Sequence, residues 1–495
     1  MGERPSLDLD RSQPLSAVVV GASGDLSMRK IFPALFALYC QDLLPREFHV
    51  VGFSRSQMGN DAFRGRIMEH LTCRYVPGEK CGELMDAFLA RCTYVSGNYN
   101  SVDSFRQLHT ELQHLDPQGR ENRIFYMAIP PFLFLDVAHA LADAGLVHRD
   151  GHGGWGRVVI EKPFGSDLAS SNQLTESMAK VFTEDQTYRI DHYLGKEVIQ
   201  NLMVLRFANL IFDPIWDRNC IHDVRISWME NLSLEGRAGY FDEYGIVRDV
   251  MQNHLLQMLA LVAMEPPVAL NSHYVRDEKV KALRCVAPLT LNDVVVGQYT
   301  AGAVEGHQHS GYREEEGVPA GSRTPTYAAA VLQIRNRRWD GVPFLIRAGK
   351  GLHTNMTEIR IRFHDVPGNI FRTSPDLLTA NELVIRVQPN AAISFRIMNK
   401  VPGLGIKLAQ SDLDLSYEAA FGGKIPDAYE SLLLDVIKGD KSLFIRSDEL
   451  AAAWQIFTPV LHELEARRVE PEKYTFGSEG PPAANALAAR FNARW

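Results

Sequence analysis

The chain has no run of about 18 apolar residues, so no segment qualifies as a membrane-spanning helix. It also has no CxxC pair. The six cysteines (Cys40, Cys73, Cys81, Cys92, Cys220 and Cys285) are scattered, which suits free or buried thiols in a reducing compartment better than a disulfide or zinc framework. Basic charge is not in excess: a net charge of −8 and a pI near 6.1 argue against nucleic-acid or anionic-membrane partners, which are bound through basic surfaces. Any phosphate is therefore bound locally. The absence of repeats and low-complexity tracts argues against a solenoid or a long disordered arm. The acidic start MGERPSLDLD has neither an apolar secretory region nor an arginine-rich transit pattern, so the expected compartment is the cytoplasm.

What remains is an ordinary soluble composition, 45% hydrophobic and 23% charged. At 495 residues the chain exceeds a single core, and two domains are expected, with roughly three as the upper bound.

The densest chemistry lies between Arg189 and Glu197, which read RIDHYLGKE. A phosphoryl dianion needs several fixed donors, and His192, Tyr193 and Lys196 offer an imidazole, a phenol and an ammonium. Asp191 cannot serve an anion; its expected task is to orient and charge-stabilise a catalytic histidine. A solvated loop with incidental charges is the alternative.

Upstream, the β-branched run Ala17 to Val20 stops at GASGDLS (Gly21 to Ser27), and Ile31, Leu35 and Leu38 then recur at helical spacing. This is strand, glycine turn, helix, with Gly21 and Gly24 letting backbone approach a pyrophosphate. Ser23 and Leu26 stand where the GxGxxG fingerprint has glycines, so the motif alone also fits a plain turn. The next strand, His49 to Phe53, leads into Ser54 and Arg55. A cation there fits a 2′-phosphate, hence NADP over NAD, unless Arg55 is an ordinary surface arginine. Further strands at Ile124 to Ile129 and Val158 to Ile160 complete a doubly wound Rossmann-type parallel sheet, assigned to residues 1–191. Lys162 follows the latter strand; it is either a surface charge or, if the Pro163 bond is cis, a side chain aimed into the crevice.

From residue 192 to 495 the patterning changes to α+β. Period-two runs at Asp223 to Trp228, Tyr327 to Ile334, Glu358 to His364, Leu383 to Val387 and Ile393 to Ile397 predict one broad antiparallel sheet covered by helices on one face. The segment Ala303 to Pro325, with His307 and His309, reads as an exposed connection and a poor metal site. Arg276 to Arg284 reads as a solvated helical face. The helix Val250 to Met264 is apolar nearly all round yet carries Asn253, His254 and Gln257 after Asp249; buried polar groups need partners, so it lines a polar cavity or holds satisfied core groups. Lys350, between two glycines past Phe344 to Ile346, can approach an anion closely.

GASGDL, EKPFG, RIDHYLGKE, DVMQNHLLQ and WDGVPF…RAGK, in this order from Gly21 to Lys350, with ELVIRVQPN beyond, resemble the motif series of the glucose-6-phosphate dehydrogenase family. The resemblance implies an NADP-binding domain and a β+α domain through which subunits form a homodimer or homotetramer. It also implies oxidation of glucose 6-phosphate to the 6-phosphogluconolactone, the first step of the oxidative pentose phosphate pathway. Carried over by motif, His254 resembles the general base and Asp191 its partner; the phosphate ligands fall on His192, Tyr193 and Lys196. Hydroxyl-binding or positioning roles fall on Lys162, Glu230, Asp249, Lys350 and Gln388, and cofactor contacts on Gly21, Ser23, Gly24, Asp25, Leu26, Lys30, Arg55 and Lys162. Two departures stand out. Glu479 occupies the place of an arginine that binds a second, structural NADP in some members, although Arg360, Arg386 and Arg396 remain available; and Asn355 replaces an arginine near Lys350. Rival readings are a dehydrogenase of another sugar phosphate or of free glucose, and a catalytically dead NADPH-binding scaffold.

Overall fold

Apolar runs separated by amphipathic segments become strands of one parallel sheet when each crossover is a helix. In the computed structural model the described residues are 11–495, apart from 117–118, 120–121, 148–153, 235, 372–377 and 423. The acidic start MGERPSLDLD therefore lies outside them. The first six strands are β1 (Leu15–Val20), β2 (Phe48–Ser54), β3 (Cys92–Ser96), β4 (Asn122–Met127), β5 (Gly156–Ile160) and β6 (Thr187–Arg189). They pair in the order β3-β2-β1-β4-β5-β6, all parallel. The order reverses beside β1, so the crevice lies past the carboxyl ends of β1 and β4. Gly21 sits there with φ +90, and a Cβ on it would lie 2.1 Å from the Ala128 carbonyl oxygen. Only glycine fits.

The second sheet is built from β7 (Ile221–Met229), β8 (Val294–Thr300), β11 (Tyr327–Gln333), β12 (Pro343–Gly349), β13 (Met356–Phe363), β14 (Glu382–Gln388), β15 (Ala392–Lys400), β16 (Leu408–Ser416) and β17 (Glu472–Thr475). A small hairpin, β9 (Gly302–Val304) and β10 (His307–His309), stands apart, and His309 stacks on Phe476. The nine strands run β16-β15-β14-β13-β7-β12-β11-β8-β17. The large sheet is antiparallel as expected except at two pairs: β12 is parallel to β7, and β17 to β8. Period-two patterning reports which face is buried, not strand direction. Nor is one face alone covered. Ala330, Leu332, Phe344 and Ile346 join the main core, while Val331 and Leu345, between them, meet Leu487 and Ala488 of the carboxyl-terminal helix Pro482–Ala489 in a separate small core.

Helices from the carboxyl-terminal part return to the first domain. The Arg157 guanidinium donates to the carbonyls of Val436 and Ile437, and the Trp454 indole donates to Phe164 O at 3.1 Å. The Ile445 amide donates to Arg189 O at 3.1 Å, at the end of β6. These contacts fix the strand that precedes Asp191.

One further sequence expectation is overturned, and another holds only in part. Cys73 and Cys81 form a disulfide, with Cα atoms 5.8 Å apart; both lie in one local loop-to-helix segment, where the chain itself brings them within bonding range. Cys40, Cys92, Cys220 and Cys285 are free, so the thiol-based argument for a reducing compartment falls. The segment Arg276 to Arg284 is a solvated face only in part: Asp277, Lys281 and Arg284 are exposed, but Arg276 and Lys279 are buried. It lies on the helix Ser272–Arg284, where Lys279 reaches Glu449 at 2.8 Å with both side chains 0% exposed. A charged residue repeats every turn on a solvated helix and on a helix whose one face is ion-paired alike. Removing one member of such a pair strands the other in a medium that cannot hydrate it. Lys279→Met is predicted to cost about 3–5 kcal/mol, and Lys279→Met with Glu449→Leu to recover most of it. Urea midpoints measure this, and a single-variant loss under about 1 kcal/mol contradicts the burial.

Candidate active site

Beyond β6 the chain turns at Asp191 and delivers His192 to Lys196 into the space between the two sheets. Facing them is the buried helix, whose amino-terminal part, Val247–Leu255, is π-helical and continues as the α-helix Leu256–Ala263. Wide turns of this kind recur at functional sites. Every residue from Val250 to Met264 is buried. The Asn253 amide donates back to the carbonyls of Arg248 and Asp249 at 2.8 and 3.0 Å, and its Oδ1 accepts from the His254 N–H at 2.6 Å. Gln257 Oε1, by contrast, finds no partner among the described residues, against the expectation that each polar group here is satisfied.

His254 Nδ1 lies 2.5 Å from Asp191 Oδ1. A carboxylate only accepts, so Nδ1 carries the proton and Nε2 is left as an acceptor. Oδ1 also accepts from the Tyr193 amide at 3.0 Å, while Oδ2 has no partner among the described residues. Burial would push the Asp191 carboxyl up, but His254 beside it holds it below the usual carboxylate range. Burial lowers His254, and the Asp191 charge opposes that fall. The pair therefore rests as an ionised carboxylate beside a neutral imidazole.

The Tyr193 ring stacks on His254 with centroids 4.4 Å apart. Its hydroxyl is held by the Trp228 indole N–H at 2.5 Å, so Tyr193 is engaged with β7. His192 and Lys196 open instead into a cavity of about 530 Å³, also lined by Leu26, Lys30, Arg74 and Tyr429. Burial pushes His192 well below its usual range, so its ring is neutral. The Lys196 ammonium donates to Gln388 Oε1 at 2.8 Å. Lys30, grouped with the cofactor on sequence, lies 3.1 Å from Asp427 in this same cavity; one helical stretch thus serves the glycine turn and this cavity.

On the other side of His254, Lys162 donates to the Asp249 carbonyl at 2.5 Å and to its Oδ1 at 3.1 Å, and the Lys162–Pro163 bond is cis. Burial would raise the Asp249 carboxyl, but Lys162 and Lys350 hold it low. The Lys350 ammonium, at the end of β12, pairs with Glu230 at 2.7 Å, at the end of β7. Sequence reading missed the aromatic frame behind these groups. The Tyr126 hydroxyl donates to Glu161 Oε1 at 2.6 Å, Tyr429 bonds the same carboxyl, and burial raises Glu161 to about 7. Tyr429 lies nearly parallel to His192 at 7°. Nothing at the sequence level joins residue 429 to residue 192.

At the glycine turn, the Ser27 hydroxyl donates to Gly21 O at 3.0 Å, and the Ser54 and Ser56 hydroxyls donate to Ser23 Oγ at 3.0 and 3.1 Å. Arg66, unremarked in the sequence, donates to Ser23 O at 3.2 Å. Asp25 is exposed and paired with Arg29. Exposed Arg55, at the end of β2, lies over the Tyr99 ring at 5.3 Å. These groups fit a dinucleotide whose 2′ position carries phosphate: the glycine gives backbone access, and Arg55 gives the charge.

Residues 18–201 match the family described as "Glucose-6-phosphate dehydrogenase, NAD binding domain", and residues 203–495 match "Glucose-6-phosphate dehydrogenase, C-terminal domain". The chain is 53% identical over 497 residues to a chloroplastic glucose-6-phosphate 1-dehydrogenase of Spinacia oleracea, covering 99% of this chain and 86% of that one. It is 46% identical over 480 residues to a cytoplasmic counterpart of Arabidopsis thaliana, covering 96% and 90%. A solved glucose-6-phosphate dehydrogenase in complex with glucose 6-phosphate superposes with a TM-score of 0.90 at 39% identity, covering 98% of this chain and 99% of that one. Matched along both domains, the chain belongs to the glucose-6-phosphate dehydrogenase family.

Proposed function

We infer that this chain oxidises glucose 6-phosphate at C1 to 6-phosphoglucono-1,5-lactone with NADP. The observation that carries the reading is the Asp191–His254 bond, set beside a cavity lined by Lys30, His192 and Lys196. The neutral Nε2 of His254 takes the proton from the C1 hydroxyl, and Asp191 fixes the tautomer and offsets the positive charge that develops. NADP, when bound, supplies the hydride acceptor; Gly21, Ser23, Gly24, Asp25, Leu26 and Arg55 would hold it, with Lys162 at its reacting end. His192, Tyr193 and Lys196 bind the phosphate as donors, with Lys30 adding charge. Lys162, Glu230, Asp249 and Lys350 take hydroxyl-binding or positioning roles, and so does Gln388 from beside Lys196.

The proposed domain boundary stays at residues 191 and 192, just past β6, the last strand of the parallel sheet. The proposed assembly is a homodimer or homotetramer through the large sheet, whose edge strand β16 exposes Leu413 and Leu415. A second, structural NADP is not part of the proposal. Arg360 and Arg396, which the sequence left available, pair with Glu358, Glu382 and Asp412, and Glu479 adds a negative charge near Arg347. The proposed compartment is the cytoplasm, as the name of the Arabidopsis relative states of that protein; among the described residues no helix is long and apolar enough to cross a membrane. The chloroplastic names of other relatives make the chloroplast the alternative.

NADPH absorbance tests the reaction: rapid formation with glucose 6-phosphate and NADP, and little with free glucose or with NAD, is expected. Replacing His192 and Lys196 with alanine should then erase the preference for the phosphosugar by roughly 10²-fold or more, because two charge-assisted contacts are lost. Equal rates on both sugars in the unaltered enzyme would overturn the phosphate assignment. His254→Ala should lower kcat by roughly 10²–10⁴-fold while calorimetry still detects glucose 6-phosphate binding; unchanged turnover would remove His254 from the mechanism.

The pH dependence follows from the dyad. Because burial lowers His254, the acid limb of kcat/KM should fall below the ordinary histidine value of about 6.5. Asp191→Asn removes the charge that opposes that fall, so the limb should move further to acid while the plateau drops. A limb that stays fixed or moves to alkaline contradicts the pairing.

A further inference from the structure

The wall of the phosphate cavity opposite His192 is the segment Ile425 to Tyr429, and it is tied to the first domain by side chains that no motif identifies. Arg74 and Tyr75 lie in the connection between the helices Asn60–Met68 and Glu79–Ala90. Arg74 Nη1 donates to Glu430 Oε1 at 3.0 Å, and Nη2 donates to the Ile425 carbonyl. The Tyr75 hydroxyl donates to the other oxygen of the same carboxylate. Glu430 is 4% exposed and stands in the first turn of the helix Ala428–Lys438. Burial raises its carboxyl, and the hydrogen bond from Tyr75 and the charge of Arg74 oppose the rise.

The residue before it is Tyr429, whose ring lies nearly parallel to His192 at a centroid distance of 6.1 Å. Arg74 itself lines the cavity with His192 and Lys196. One side chain thus grips the start of the wall at Ile425 and its end at Glu430, and what lies between includes Asp427, the partner of Lys30. If this grip fails, His192 loses its stacked neighbour and the cavity its shape, while Asp191 and His254 keep theirs, because their bond involves neither Arg74 nor Glu430.

We propose that Arg74 and Tyr75 form a latch on Glu430 that holds the Ile425 to Tyr429 wall against His192, making them positioning residues that set affinity for the 6-phosphate group of the substrate. The proposal rests on the reading of His192 and Lys196 as phosphate ligands. A latch acting only through the phosphate cavity should appear in KM for the phosphosugar and not in the chemical step.

The test is steady-state kinetics on the full-length enzyme and its Arg74→Ala, Arg74→Lys, Tyr75→Phe and Glu430→Gln variants, with glucose 6-phosphate and with free glucose at saturating NADP. Arg74→Ala and Glu430→Gln should each raise KM for glucose 6-phosphate about tenfold, with kcat, KM for NADP and kcat/KM for glucose within about twofold of the unaltered enzyme. The double variant should fall well short of the product of the two single losses, because both remove the Arg74–Glu430 contact. Arg74→Lys should restore part of the affinity, and Tyr75→Phe, which removes only a hydroxyl, should cost about two- to threefold. Should Arg74→Ala fail to fold, the Lys and Phe variants carry the comparison. Equal loss on both sugars, a fall in kcat at constant KM, or full additivity in the double variant overturns the latch. Unaltered enzyme with no preference for the phosphosugar overturns the phosphate reading itself, a result distinguishable from normal preference with variants that change nothing, which overturns the latch alone.

Discussion

A carboxylate deprived of water must be answered by the protein, and the answer to Asp191 is His254. Asp191 is 2% exposed and His254 3%. The bond between Oδ1 and Nδ1, together with the Tyr193 amide, is what keeps a charge tolerable at that depth, since an unpaired buried ion is far costlier than a paired one. The two residues arrive from different architectures: Asp191 leaves the last strand of a parallel sheet, and His254 rides on a π-helical stretch behind a mixed sheet. Holding them 2.5 Å apart therefore constrains how the halves of the chain meet. The returning helices meet that constraint near its source, at Arg157, Phe164 and Arg189.

Charge around the dyad is sorted by side. Toward the proposed phosphate cavity lie the cations Lys30, Arg74 and Lys196 beside the neutral His192, with Asp427 paired to Lys30, and toward the proposed sugar side lie Lys162, Asp249, Glu230 and Lys350 in alternating pairs. Cations concentrated in one pocket raise the local concentration of an anionic substrate even though the chain as a whole is acidic. Paired charges on the other side carry no net field but offer donors and acceptors together, as hydroxyl recognition needs. The neutral imidazole of His254 stands beside both, and burial keeps its Nε2 free of a second proton.

Much of this was legible before the structure. The strand–glycine–helix start, taken with the strands that follow it, pointed to a doubly wound sheet, and the residue types in RIDHYLGKE marked it as a candidate site. The polar residues on an apolar helix pointed to His254 because buried polar groups need a reason. What could not be read has a common physical cause. Strand direction leaves no trace in period-two patterning, so the parallel pairs β7/β12 and β8/β17 were missed. Lys279 carries its charge in sequence but not its burial, which depends on Glu449 far along the chain. Tyr429 and Arg74 act through contacts spanning hundreds of residues, and the Cys73–Cys81 bond depends on the path of one connection. Sequence shows which groups are present; only the fold shows which of them meet.

The central claim is that burial keeps His254 neutral, while its bond to Asp191 fixes the remaining proton on Nδ1 and leaves Nε2 free for the substrate. Nitrogen-15 NMR of the labelled full-length enzyme measures this directly. The account predicts a His254 ring protonated at Nδ1, with that proton shifted strongly downfield and a midpoint below about 6.5. A ring protonated at Nε2, or one still charged above that pH, would contradict it.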